Sequence, residues 1–259
     1  MESPNEIFDY TSRTENAKTS DHFQWFSYNN NWSLVTGELH RRAGLDQRPA
    51  PHATGRLFAN PWRDYLHQKA VKESKHDKGV LFDKAMSRIV DGAKSKIRII
   101  YEQEFSDLQG KIFNFKGFAR SINSTENQKG TLKKESNYTV DNNFMGLFNN
   151  LYKTELDILI ADTESVYVGE AKQESTFDAS GYNNLVHQLV RQYVTVEIWL
   201  EYREIKKSII PFIVGDITKL GSIKHNNQVE FMMTHKLLHE THVLSWEDIK
   251  DLRKSFNEA

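Results

Sequence analysis

Residues 154–172 constrain the fold of this chain more than any other stretch, because they read as two apolar strands that carry charge. In the first, over 154–162, Leu156, Ile158 and Ile160 occupy the even positions. Side chains alternate across a strand, so Glu155 and Asp157 share the opposite face. In the second, over 166–172, Glu170 and Lys172 share a face with Val166 and Val168. The polar segment Asp162, Thr163, Glu164, Ser165 between them is short enough for a hairpin turn. Pairing across that turn brings Asp157, Glu170 and Lys172 together at one end of a sheet.

Charges in an apolar sheet need a reason, since burying them is costly unless they are paired or bound to metal. Two carboxylates ~4 Å apart repel by about 4 kcal/mol at an effective dielectric of ~20. A divalent cation between them removes that repulsion, and hard carboxylate oxygens suit Mg²⁺ or Mn²⁺. A lysine facing the same place can hold or deprotonate a water and stabilise charge on a phosphate.

Asp157, twelve intervening residues and then Glu170-Ala171-Lys172 at the end of an apolar strand resemble the active-site signature of the PD-(D/E)xK phosphodiesterases, the restriction-endonuclease-like nucleases. The proline that precedes the first acid in the family's name is replaced by Leu156. The resemblance covers the organisation of residues 78–217. It implies an α/β fold with a restriction-endonuclease-like core, a central mixed β-sheet flanked by helices, and an N-terminal extension. It also implies a metal-dependent deoxyribonuclease, expected to be an endonuclease in restriction, phage or repair functions. Asp157 and Glu170 then bind Mg²⁺ or Mn²⁺, the carbonyl of Ala171 completes the site, and Lys172 orients or activates the attacking water. Asp83, on an amphipathic helix expected over 79–90, stands where the family often has a further acidic ligand; the alternative is an exposed helix charge beside Lys84. Gln188, on a long helix expected over 182–204, stands where relatives carry a site-facing glutamine. Gln192, one turn on, and Glu155 are expected beside the ligands, and Arg191, Lys133 and Lys134 are candidates for nucleic-acid contact. DNA is the expected partner, and a homodimer would let two sites cut both strands. The alternative is a catalytically silent nuclease fold that binds nucleic acid or a partner protein.

Composition narrows the rest. The formal net charge of −1 provides no global basic field, so a DNA surface has to be local. No cysteine is present, which excludes disulfides and thiolate zinc sites and is compatible with a reducing cytoplasm, the expected location. No signal peptide and no membrane-length apolar run is read. Nor is there a glycine-rich phosphate loop or a nucleophile elbow.

Two parts are expected: an extension over 1–60, loop-rich and suited to dimerisation or DNA contact, and the nuclease domain over 61–259. Residues 1–22 show no helical or strand period. Trp25, Phe26, Tyr28 and Trp32 either stack on bases or pack the extension onto a core, and packing is the simpler reading. Arg41, Arg42, Arg48 and Arg56 lie in a run read as loop, where they are either phosphate contacts or ordinary surface charges. Pro61 opens a helical pattern. Strands are expected over 97–105 and 111–122, and a polar insertion loop over 123–143. An apolar strand over 209–214 should run parallel to the strand ending at Lys172, because a long helix separates them. Residues 230–233 are read as an edge strand and 246–252 as a terminal helix capped by Ser245. His235, His239 and His242 have helical spacing, but the glutamate of a zinc-peptidase helix is missing, so they are read as solvated surface histidines rather than zinc ligands.

Overall fold

The computed structural model describes residues 14–45, 52–61, 154–172 and 188–257. The expected helix over 79–90 with Asp83, the strands over 97–105 and 111–122, and the insertion with Lys133 and Lys134 lie outside these residues. The chain divides into two compact units, one formed by residues 1–59, 156–176 and 207–259, the other by 60–155 and 177–206.

The first unit is built on a mixed five-stranded sheet flanked by helices, with the strands in chain order across it. They are β1 (Thr54–Ala59), β2 (Leu156–Ala161), β3 (Ser165–Lys172), β4 (Ser208–Gly215) and β5 (Val243–Ser245). β1, β2 and β3 form an antiparallel meander. β4 runs parallel to β3 and β5 parallel to β4, as the strand–helix–strand order requires. The hairpin between β2 and β3 closes on Asp162, whose Oδ1 accepts the amides of Glu164 at 2.9 Å and Ser165 at 2.7 Å.

One face of this sheet carries the core. Helices α1 (Thr14–Tyr28) and α2 (Trp32–Arg42) supply Phe23, Phe26, Trp32, Val35 and Leu39. The terminal helix (Trp246–Asn257) supplies Trp246 and Ile249, and the sheet answers with Leu57, Ile158, Ile160, Tyr167, Phe212, Val214 and Leu244. Two glycines admit the large rings. A Cβ on Gly55 would overlap the Trp32 indole, and one on Gly169 would overlap the Phe212 ring.

Several expectations change. The N-terminal stretch is not a loop-rich arm: it carries α1, α2 and β1. α1 escapes periodicity because small polar residues share its buried side: Thr19 and Ser20 are as enclosed as Phe23 and Phe26. Its aromatic residues pack inward, apart from the exposed Tyr28. Arg41 and Arg42 end α2 and pair with Glu38, and Arg42 also reaches Asp248 at 2.7 Å. Residues 230–233 belong to a helix, α4 (Asn227–Thr234; α3 is Gln188–Tyr202), not a strand. Asn226 caps that helix through the Gln228 amide at 2.9 Å, and Val229 and Met232, three apart, are its buried side. The three histidines share no helix: His235 follows α4, His239 caps a 3₁₀ turn (Glu240–His242) and His242 is its last residue. His242 is buried rather than solvated, with Nε2 3.2 Å from the Leu39 carbonyl. Ser245 caps the terminal helix as expected: its Oγ accepts the Asp248 amide at 3.0 Å, and its own amide donates to Asp248 Oδ2 at 2.7 Å. That helix runs to Asn257 rather than to residue 252.

In the second unit, α3 (Gln188–Tyr202) lies within the helix expected over 182–204. Leu189, Val194, Val196 and Leu200 are buried on it, and so are Arg191, Gln192 and Thr195. A helix enclosed on apolar and polar sides alike is an interior helix, not one with a solvated polar face.

Candidate active site

The alternation in β2 is regular: Leu156, Ile158 and Ile160 are buried and the odd positions between them are half-buried. β3 is buried along its whole length. Its odd residues Tyr167 and Ala171 belong to the aromatic core, so alternation places Glu170 and Lys172 on the opposite face. Ile158 pairs with Gly169, and that register, carried one residue further, sets Asp157 across from Glu170 on the same face.

Two contacts define the site. The Asp157 carboxylate accepts the Ala171 amide through Oδ2 at 2.9 Å. Lys172 Nζ lies 2.7 Å from Glu170 Oε1, in an ion pair whose side chains are 5% and 2% exposed. Bringing such a pair out of water is costly, and the attraction repays the cost only when the geometry is good. A short pair of this kind neutralises the charges but does not explain why an apolar strand should carry them.

The β2–β3 backbone ladder stops at Ile158 and Gly169. Beyond it, a side-chain oxygen of Asp157 takes the Ala171 amide that a β2 carbonyl would have taken. An extended residue sends its N–H and C=O to the same side, so the Ala171 carbonyl also points toward β2 and Asp157. Two carboxylates and a strand carbonyl form an all-oxygen donor set, which suits a hard divalent cation. Among the described residues no group of three or more His, Cys, Asp and Glu side chains is placed to hold a metal. Asp157 and Glu170 would therefore hold an ion with help from backbone oxygen and water, the usual manner of Mg²⁺.

Glu155 lies just ahead of β2 and is exposed. Gln188, Arg191 and Gln192 stand on α3 of the second unit; Arg191 and Gln192 are buried and Gln188 is half-buried. Tyr193 beside them has its hydroxyl pKa raised by burial and by the Glu197 carboxylate.

A polar cluster on the core face was not singled out from the sequence. Tyr167 is fully buried, and its hydroxyl donates to Asp162 Oδ2 at 2.6 Å while lying 2.8 Å from His40 Nε2. Lys207 Nζ donates to the Asp162 carbonyl. Burial pushes the Asp162 carboxyl pKa up, but the Tyr167 hydroxyl, the Glu164 and Ser165 amides and the His40 charge together hold it below its ordinary value. Burial and Asp162 keep the Tyr167 hydroxyl protonated far above the usual tyrosine range. The local signal was an aspartate at a hairpin turn followed by a serine three residues on, which reads as a turn and says nothing of a tyrosine two residues beyond or of a histidine in α2.

Comparison with family models, with curated proteins and with solved structures finds no significant match. The functional reading therefore stands on the residues and their geometry. Among the described residues no helix is long and apolar enough to cross a membrane.

Proposed function

We propose that this chain is a metal-dependent nuclease with a restriction-endonuclease-like core that hydrolyses phosphodiester bonds of DNA. The observation that carries the reading is the placement of Asp157, Glu170 and Lys172 on one face of two adjacent strands, where the ladder between them gives way to the contact of Asp157 with the Ala171 amide. A buried acid–lysine pair beside a second carboxylate is poorly explained by stability alone.

Asp157, Glu170 and the Ala171 carbonyl would hold Mg²⁺ or Mn²⁺. When bound, such an ion polarises a phosphoryl oxygen and acidifies water. Lys172 would orient the attacking water, whose proton then passes to solvent, or as the neutral amine would itself accept that proton at Nζ. The water oxygen bonds to phosphorus, the phosphorus–oxygen bond to the leaving strand breaks, and the leaving oxygen takes a proton from solvent. Glu170, 2.7 Å from Nζ, fixes where the Lys172 nitrogen sits. Roles for Gln188, Gln192, Arg191, Glu155, Asp83, Lys133 and Lys134 are part of the proposal and are tested by substitution.

The test is cleavage of plasmid, linear duplex and single-stranded DNA, with RNA alongside, in Mg²⁺, Mn²⁺ and EDTA. Asp157→Asn is the informative variant, because its amide oxygen can still accept the Ala171 amide while the charge is removed. Cutting by the wild type that requires metal and is absent in Asp157→Asn supports the proposal. Absence of cutting on every substrate, with equal binding by wild type and variant, overturns it in favour of a second reading: a nuclease fold that binds nucleic acid or protein without cleaving. One observation favours that second reading, namely that Lys172 forms a buried ion pair with Glu170.

A further inference from the structure

A basic segment follows β4 on the face of the sheet that carries the proposed site. Phe212 and Val214 of β4 belong to the aromatic core, so alternation turns Ile213 and Gly215 to the face of Glu170 and Lys172. Parallel pairing sets Gly215 beside Lys172, one strand spacing of about 4.8 Å away. A Cβ on Gly215 would overlap the Ile223 side chain and would lie 3.5 Å from the Lys172 carbonyl oxygen. The chain therefore leaves β4, turns through the 3₁₀ segment Ile217–Lys219, and lays the short helix Leu220–Lys224 over this face. Ile223 is the buried anchor of that helix, which also packs against β5.

What the segment leaves in solvent carries one sign of charge. Ser222, Lys224 and His225 are exposed, and Lys219 is half-buried. No Asp or Glu occurs from Ile217 to Val229, in a chain where acids make up 35 of 259 residues. The acids that bound the stretch are engaged locally. Asp216 Oδ1 accepts the Thr218 amide at 2.9 Å and the Thr218 hydroxyl at 2.6 Å, and Glu230 Oε1 lies 3.3 Å from His225 Nδ1. Helical spacing sets Lys219 and Lys224 on either side of the stripe formed by Leu220 and Ile223, with Gly221 and Ser222 on the outer surface between them. A Cβ on Gly221 would meet nothing within 4 Å, so this outer surface admits close approach by another molecule. The terminal helix shows the ordinary alternative, a solvated surface of mixed sign: Lys250 stands among Glu247, Asp248 and Asp251, and Lys254 pairs with Asp251 at 3.0 Å. With a net charge of −1, a surface for a polyanion has to be a local one of the first kind.

We propose that Ile217–His225 is a binding surface for the phosphate backbone of the DNA strand that flanks the cleaved bond, with Lys219 and Lys224 as its cations and the Ser222 hydroxyl as a neutral donor. One to two strand spacings, about 5–10 Å, separate the segment from Lys172. At a rise of ~3.4 Å per nucleotide that is about one to three nucleotides from the cleaved phosphate. The relation to cleavage rests on the nuclease reading; the binding of phosphate does not.

The experiment uses the full chain and measures binding of fluorescent single-stranded and duplex DNA in EDTA over a series of KCl concentrations, with cleavage in Mg²⁺ followed in parallel. The variants are Lys224→Gln, the double variant Lys219→Gln with Lys224→Gln, and Ser222→Glu. Lys250→Gln on the terminal helix is the control, with the same loss of charge as Lys224→Gln. All change side chains at the surface, and urea unfolding verifies that each is folded. Each phosphate contact contributes about 0.9 to the slope of log affinity against log salt on duplex DNA. The expected result is a slope shallower by about 0.9 in Lys224→Gln and by about 1.8 in the double variant, weaker binding in Ser222→Glu, and no change in Lys250→Gln. Any cleavage by Lys224→Gln should show a raised KM. A slope in the double variant equal to that of the wild type overturns the proposal, as does an equal loss in Lys250→Gln or a wild type that binds no DNA. A wild type that cuts DNA while the variants bind as it does overturns the surface and leaves the nuclease reading standing. A wild type that cuts nothing, with the expected differences in binding, overturns the nuclease reading and leaves the surface supported.

Discussion

Tyr167 shows how one side chain can serve two partners at once. Its hydroxyl donates to Asp162 and lies within hydrogen-bond distance of His40, joining the β2–β3 hairpin to α2. Tyr167→Phe leaves a buried carboxylate oxygen without that donor and should destabilise the protein by about 1–3 kcal/mol. The Asp162 carboxyl pKa is depressed in the folded state, with the Tyr167 hydroxyl foremost among the groups that outweigh burial. Its stabilisation is therefore complete above the unfolded-state pKa of about 3.9 and is lost as pH falls through the lower folded-state value. In Tyr167→Phe the folded-state pKa moves up toward the unfolded value, so the stability lost on acidification should shrink, which urea unfolding between roughly pH 3 and pH 7 will show. His242 works in the opposite charge sense. Burial, then the neighbouring His239 and His40, depress its pKa despite the Leu39 and Pro211 carbonyls. It favours the neutral form in the folded state, so its contribution is present above the unfolded-state pKa of about 6.5 and disappears as pH falls below it. The unfolding midpoint of the wild type should fall from neutral to mildly acidic pH, and His242→Gln should flatten that slope.

Among the elements, β3 is the most constrained. It is buried throughout, pairs with β2 on one side and β4 on the other, and carries Glu170 and Lys172 on one face and core on the other. Gly169 sits beneath the Phe212 ring, where a Cβ would overlap it. Gly169→Ala is expected to cost about 1–3 kcal/mol by overpacking, read as a lower urea midpoint with an unchanged slope. The residue next to Glu170 then moves, so any cleavage activity should fall with stability rather than independently of it. α1 and the terminal helix meet through Trp25 and Phe256, 5.6 Å apart edge to face, with Arg253 over the Trp25 ring at 5.8 Å. Chain termini on either side of the sheet segment are thereby joined by residues that sequence spacing does not connect.

For the molecule as a whole, the Glu170–Lys172 pair separates stability from function. Removing one partner of a buried pair strands the other charge and typically costs about 3–5 kcal/mol, whereas replacing both with neutral residues of similar size is often close to neutral. Glu170→Gln and Lys172→Met should each lower stability, and the double variant should recover most of it. On the proposed nuclease reading, cleavage should fall in all three, in Lys172→Met by about 10²–10³-fold, the usual cost of one preorganised charge-stabilising group. Chemical unfolding and DNA cleavage on the same preparations check this together. A bound ion should also stabilise the folded chain by about 2.7 kcal/mol at a hundred times its dissociation constant, an effect that Asp157→Asn should abolish. Local alternation and the hairpin spacing by themselves determined β2, β3 and the common face of Asp157, Glu170 and Lys172, because strand periodicity is a property of the backbone and needs no distant partner. The parallel β4 and the Ser245 cap were legible for the same reason, one from connection handedness and one from a short capping pattern. Tertiary structure alone decided α1, whose buried side contains Thr19 and Ser20, and the helix over Asn227–Thr234, whose few apolar residues suit either period. It alone decided the burial of His242, the bridge from Asp162 through Tyr167 to His40, and the left-handed turn at Phe58. The burial of His242 against Leu39 and the reach of Tyr167 to His40 join residues 203 and 127 positions apart, and no local pattern records which distant surface will be there to receive a side chain.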